Sequence, residues 1–145
     1  MTARGEDTMN GKTFVWPVRV YYEDSDAQGV VYYANYFKFM ERARTEWIRS
    51  LGVEQDTLMK RDKRIFVVVD TTANFLSPAR FNDLLAVTVR LTDRSRATFS
   101  MGQDIFRNDI DGELLCRGTI RAAFLNAETL KPARLPEKLF EDCSA

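Results

Sequence analysis

The sequence has no histidine among its 145 residues. That absence excludes catalysis by an imidazole base, in Ser-His-Asp or Cys-His form, and zinc sites built on imidazole ligands. Cysteine is scarce as well. Cys116 and Cys143 form neither a metal-ligand spacing nor a disulfide framework. Such sparse use suits a reducing compartment, and a cytoplasmic location is expected. An excess of one charge is also missing. The 21 basic and 21 acidic side chains cancel, so there is no general electrostatic drive toward nucleic acid or a membrane surface. No apolar run reaches the roughly 18 residues that span a bilayer, and no stable membrane insertion is expected. Residues 1–12 lack the apolar run of a signal peptide. They read as a flexible leader to a single domain over 13–145, with Met9 a candidate natural start.

What is present is an ordinary globular composition, 45% hydrophobic and 29% charged, at a length suited to one core. Phe14 to Glu23 reads as a strand, with Phe14, Trp16, Val18, Val20 and Tyr22 sharing a face. Pro17 places that strand at an edge or a bulge. Tyr32 to Leu51 reads as a helix whose stripe is Phe37, Met40, Ala43, Trp47, Ile48 and Leu51, stopped by Gly52. Glu54 to Arg61 suits a short second helix. Strands are expected over Ile65–Leu76, Leu85–Leu91, Ala97–Arg107 and Leu114–Leu125, with Asp111-Gly112 supplying the positive φ of the last hairpin. Consecutive strands with short turns imply an antiparallel sheet, and one amphipathic helix covers it, which makes an α+β domain.

Without histidine, catalysis falls to carboxylates, tyrosine, lysine, other hydroxyl or thiol groups, and backbone dipoles. The densest polar cluster between a strand and a helix is Glu23-Asp24-Ser25-Asp26. It feeds the N-terminus of the longest helix, where free N–H groups stabilise an oxyanion or a polarised carbonyl. A carboxylate in that loop can perform acyl transfer, as nucleophile or as base for water. The residues alone leave both aspartates open, and the plain alternative is that they only form the turn and complement the helix dipole. Elsewhere the plain readings lead. Cys116 fits a core face, Glu41 pairs with Arg42 or Arg44, and Arg80 and Asp83 belong to a turn.

Two segments then carry a resemblance. Val18 to Tyr36 reads VRVYYEDSDAQGVVYYANY, and Phe39 to Trp47 reads FMERARTEW. They resemble the signature of the 4-hydroxybenzoyl-CoA thioesterase family, in particular its Tol–Pal-associated, YbgC-like acyl-CoA thioesterases. The similarity continues through the turn Ser77 to Asp83 to about Pro136. The resemblance implies a hotdog fold, an antiparallel sheet of about five strands wrapped around one long helix. It implies hydrolysis of an acyl-CoA to free acid and CoA without metal or redox cofactor, CoA being part of the substrate. It implies a homodimer with sites at its interface, pairing again into a homotetramer. The family's catalytic carboxylate falls on Asp26, and its carbonyl-polarising backbone N–H falls on Tyr33.

Gln28 and Gly29 are candidates to border the substrate, and Tyr32, Tyr36 and Phe37 to line an acyl pocket, against simple packing near a helix start. Arg94 and Arg96 are candidates to hold the CoA phosphates or pantetheine, against a simple solvated turn. This chain departs from the pattern at Tyr33, where the branch usually has histidine, and at Gln28, where a small residue is common. Both changes bear on the substrate more than on the reaction. The alternative is a non-catalytic acyl-CoA or acyl-carrier-protein binding module with lipid-synthesis partners. A hotdog dehydratase is disfavoured, since that chemistry relies on histidine.

Overall fold

Five strands follow the apolar and alternating runs: β1 (Thr13–Arg19), β2 (Arg64–Phe75), β3 (Leu84–Arg94), β4 (Thr98–Arg107) and β5 (Leu114–Asn126). The computed structural model describes residues 12–141 and 143, so the expected leader, apart from Lys12, lies outside the described residues. The strands form one antiparallel sheet in the order β1-β3-β4-β5-β2. β1 is an edge strand, which accommodates Pro17 opposite Ala86 without breaking a central ladder. One long helix, α1 (Asn35–Ser50), packs on the sheet, and a short α2 (Gln55–Thr57) runs into a wider turn over Leu58–Asp62. This is the α+β hotdog arrangement.

α1 is free of glycine and proline, and the chain leaves it through Gly52 at φ +93°. Its buried face is Tyr36, Phe39, Met40, Ala43, Trp47 and Ile48. The stripe is therefore rotated slightly from the one expected. Phe37 and Leu51 are only partly buried, whereas Phe39 is fully buried. The helix also begins three residues later than Tyr32, and this difference matters for the site.

β1 ends earlier than expected. Val20 still exchanges backbone bonds with the turn after β2, donating to Asp83 O (2.9 Å) and accepting from Asn82 N–H (3.0 Å). The chain then makes one tight turn over Tyr22–Asp24, because the buried Asp24 carboxylate takes the Tyr21 N–H at 2.9 Å. Tyr22 is thereby thrown out of the core face, edge-on to Phe81 at 5.8 Å. The β4–β5 hairpin differs too. Asn108, at φ +72°, takes the left-handed position, and Gly112 serves close approach, since a Cβ there would collide with the Arg107 carbonyl. A bulge in the same pair leaves Leu115 without a partner residue and fully buried beside Cys116.

The tail after β5 ends in hydrogen-bonded turns and completes the core. Phe140 is buried, stacks on Trp47 at 5.3 Å and meets Phe99 at 4.7 Å.

Candidate active site

The loop between β1 and α1 is folded on itself by an antiparallel bridge between Ser25 and Val31. The Asp26 N–H donates to Val30 O (2.8 Å), and the Gly29 N–H donates to Asp26 O (3.0 Å). Gly29 sits at φ +80°, a conformation that strains any residue with a Cβ. A second turn, 77–83, braces this loop. Val31 N–H donates to Ala79 O (2.8 Å) and Phe81 N–H to Gly29 O (3.1 Å). The turn is itself held by Arg107, which pairs with Asp83 and donates to Pro78 O at 3.0 Å.

The two aspartates have different surroundings. Asp24 is 1% exposed. Its Oδ2 accepts the Tyr21 N–H, and its Oδ1 faces Lys38 Nζ at 3.9 Å. Its carbonyl takes the Tyr32 N–H (3.2 Å) and Asn35 Nδ2 (2.9 Å). Asp24 is thus the strut of the turn. Asp26 is exposed, and only its Oδ1 is engaged, accepting the N–H groups of Gln28 (2.9 Å) and Val30 (3.3 Å). Those bonds orient the carboxylate, and among the described residues no donor occupies Oδ2.

The late start of α1 leaves Tyr33 and Ala34 just ahead of its first turn. The Tyr33 carbonyl already accepts the Tyr36 N–H (3.2 Å). Among the described residues no acceptor takes the N–H of Tyr33 or Ala34. Unpaired N–H groups at the positive end of a helix suit a developing oxyanion. The Tyr33 ring lies against Tyr32 (4.9 Å) and edge-on to Phe75 of β2 (5.8 Å), so the side chain is held while the N–H stays free. The Tyr32 phenol is raised above its ordinary value, first by its hydrogen bond with Tyr33 and then by that neighbour's charge.

The other candidates separate into two places. Gln28, Gly29 and Tyr32 share the loop with Asp26. Tyr36, in the first turn of α1, is buried. Its hydroxyl accepts the Ala79 N–H at 2.9 Å, and burial pushes its pKa up. Arg94 and Arg96 stand at the β3–β4 turn, where with Arg134 they border an open groove of about 440 Å³. Arg94 donates to the carbonyls of Pro136 (2.8 Å) and Glu137 (3.3 Å) and lies 5.5 Å above the Phe140 ring. The β1–α1 loop that carries Asp26 packs near the opposite end of β3, roughly 30 Å away along the strand at ~3.3 Å per residue. One chain alone does not bring these arginines to Asp26. Cys116 is buried and its thiol is pushed up to about 11, which agrees with a core role.

Two features lie outside the sequence reading. Phe75 gathers Tyr33, Tyr36 (5.4 Å) and Phe37 (6.2 Å), a contact between distant segments with no local signal. Gln103 is a fully buried amide in an otherwise apolar strand face, an anomaly the sequence does contain.

Fold and loop together define a hotdog domain with an exposed carboxylate ahead of a helix whose leading N–H groups are unpaired. The chain belongs to the thioesterase-like superfamily, whose profile matches residues 20–142. It is 38% identical over 126 residues to the acyl-CoA thioesterase YbgC of Haemophilus influenzae, covering 87% of this chain and 90% of that protein. It is 37% identical over 131 residues to the acyl-CoA thioester hydrolase YbgC of Escherichia coli, covering 90% and 96%. Among solved structures, the 1,4-dihydroxy-2-naphthoyl-CoA thioesterase of Synechocystis superposes with a TM-score of 0.79 at 25% identity, over 86% of this chain and 90% of that one. A 4-hydroxybenzoyl-CoA thioesterase variant holding 4-hydroxybenzoyl-CoA shares the fold, with a TM-score of 0.82 at 20% identity over 91% and 99%.

Proposed function

We propose that Asp26 and the backbone N–H of Tyr33 form the catalytic pair with which this acyl-CoA thioesterase cleaves its substrate. The observation that carries this reading is the division of labour in one loop. A carboxylate with a free oxygen precedes two unpaired N–H groups at the start of α1. The thioester carbonyl accepts from the Tyr33 N–H, which stabilises the charge that builds on its oxygen. The Asp26 carboxylate then attacks the carbonyl carbon and expels CoA thiolate, leaving a mixed anhydride that water hydrolyses; or it takes a proton from water that attacks in its place. Either route yields free acid and CoA and restores Asp26. Because the donor is backbone, the tyrosine in place of histidine leaves the chemistry intact. Tyr33→Phe is expected to keep kcat within about threefold of wild type in a thiol-release assay, whereas loss of an oxyanion donor costs about 10²- to 10³-fold. A fall of that larger size would show that the phenol itself takes part.

The active unit is a homodimer joined through β2. This strand is a twelve-residue edge, and Val68, Val69, Phe75 and Leu76 on and just beyond it are all more than 40% exposed. An edge of that length and apolarity needs a cover. A second copy related by a two-fold axis pairs β2 with β2 end for end. The same rotation turns the partner's β3–β4 turn, with Arg94 and Arg96, toward the end of the sheet that holds this chain's Asp26. CoA phosphates held there leave the thioester at Tyr33. Sedimentation equilibrium is expected to give twice or four times the 16.7 kDa chain mass, and a stable single-chain mass would overturn the composite site. No described helix is long and apolar enough to cross a membrane. Cytoplasmic acyl-CoA is the substrate pool this reading assigns.

A further inference from the structure

α1 and β2 meet at one end through Tyr33 and Phe75, and the C-terminal half of the helix faces the start of β2. Between them lies a cavity of about 140 Å³, walled by Ile48, Phe66, Phe99 and Met101, with Arg44, Thr45 and Gln55 as polar lining. An arginine is unusual in such a wall. It is half-buried, and desolvation lowers its pKa from the ordinary value, more than the Glu41 charge raises it. Among the described residues no carboxylate lies within ion-pair distance of it. Glu41 lines the cavity too, but it is exposed and its Oε2 is occupied by the Thr45 hydroxyl at 2.7 Å.

Arg44 is nevertheless held in place. Its Nη1 donates to Gln103 Oε1 at 2.9 Å. Gln103 is fully buried, and its Nε2 donates to the carbonyls of Met40 (3.0 Å) and Thr88 (3.3 Å). Those two bonds fix which end of the amide faces Arg44. A buried polar group in the core therefore orients one guanidinium, and among the described residues no other acceptor takes its remaining N–H groups. A packed core has no structural need for that arrangement, since an aliphatic pair would fill the same volume. A planar, donor-only, permanently charged fork set beside Ile48, Phe66, Phe99 and Met101 matches a carboxylate at the end of an apolar chain.

We propose that this cavity receives the far end of the acyl group and that Arg44 selects acyl chains ending in a second carboxylate, so that the preferred substrates are CoA thioesters of dicarboxylic acids. The inference rests on the thioesterase reading above and names its substrate class. Arg44 lies nine residues after Asn35, about 13.5 Å along the helix at 1.5 Å per residue, with Tyr33 just ahead of Asn35, a separation on the scale of a medium-length acyl chain.

The test pairs kinetics with binding. Thiol release is measured for the mono-CoA thioesters of adipic, suberic and sebacic acids against hexanoyl-, octanoyl- and decanoyl-CoA. Wild type is expected to favour at least one diacid thioester over its plain-chain analogue by about tenfold in kcat/KM. Arg44→Met should abolish that preference by raising KM for the diacid thioester, with plain chains within about twofold of wild type. Arg44→Lys, which keeps the charge without the fork, should retain part of it and guards against a folding defect in the methionine variant. Free suberate is titrated calorimetrically against octanoate in both proteins. Equal turnover of the two series by wild type, or an equal loss on all chains in Arg44→Met, overturns the proposal. If no thioester is hydrolysed, the thioesterase reading fails. In that case suberate binding that Arg44→Met removes still upholds the site, and its absence rejects the site as well.

Discussion

Asp26→Asn is expected to lower kcat for acyl-CoA hydrolysis by about 10²- to 10⁴-fold, with KM and the melting temperature close to wild type. The geometry explains why the loss should be confined to turnover. Oδ1 of the aspartate accepts from Gln28 and Val30, and the amide oxygen of asparagine can accept the same two bonds. The loop therefore keeps its shape. What disappears is the charge and nucleophilicity of Oδ2, the oxygen that the loop leaves without a donor among the described residues. Asp24 is the natural control, because it is buried and committed to Tyr21 and Lys38. Its replacement should register first as lost stability. If Asp26→Asn turned over at the wild-type rate in a correctly folded protein, the carboxylate assignment would be wrong. A single turnover in oxygen-18 water separates the two routes open to Asp26, since label recovered in its carboxylate marks the mixed anhydride.

The second large effect concerns the fold. Phe140→Ala is expected to destabilise the protein by about 3–5 kcal/mol in urea unfolding. Phe140 is fully buried and contacts both Trp47 of α1 and Phe99 of β4, so the tail clamps the C-terminal half of the helix to the sheet. The same ring lies under Arg94 at 5.5 Å, which ties the β3–β4 turn to the core. A domain stable by about 5–15 kcal/mol has little margin for such a loss. A midpoint shift worth less than about 1 kcal/mol, at unchanged denaturant dependence, would show that the tail is not part of the core.

These predictions differ in how far the sequence led to them. The strands and α1 were legible because alternation and helical spacing are local signals, and Pro17 correctly marked an edge. For the proposed site the sequence offered two acids, Asp24 and Asp26, and the resemblance of the surrounding motif pointed to Asp26; the structure adds that Asp24 is buried and Asp26 exposed. Features made by contacts between distant segments were not. The Asp24 carboxylate bends the chain at Tyr22, and that bend turns a residue assigned to the core face outward. The stripe of α1 is rotated because Phe39, not Phe37, meets the sheet directly. Phe140 sits in a tail whose local pattern gives no hint of burial. The separation of Arg94 and Arg96 from Asp26 within one chain is a matter of strand length and direction, and no motif carries it.

Thiol release across a panel of aliphatic and aromatic acyl-CoAs, with wild type and Asp26→Asn side by side, decides whether Asp26 drives thioester hydrolysis. Catalytic release of CoA by wild type from at least one thioester, reduced about 10²-fold or more by the substitution, is the predicted result. No release from any thioester, or release that the substitution leaves unchanged, would contradict it.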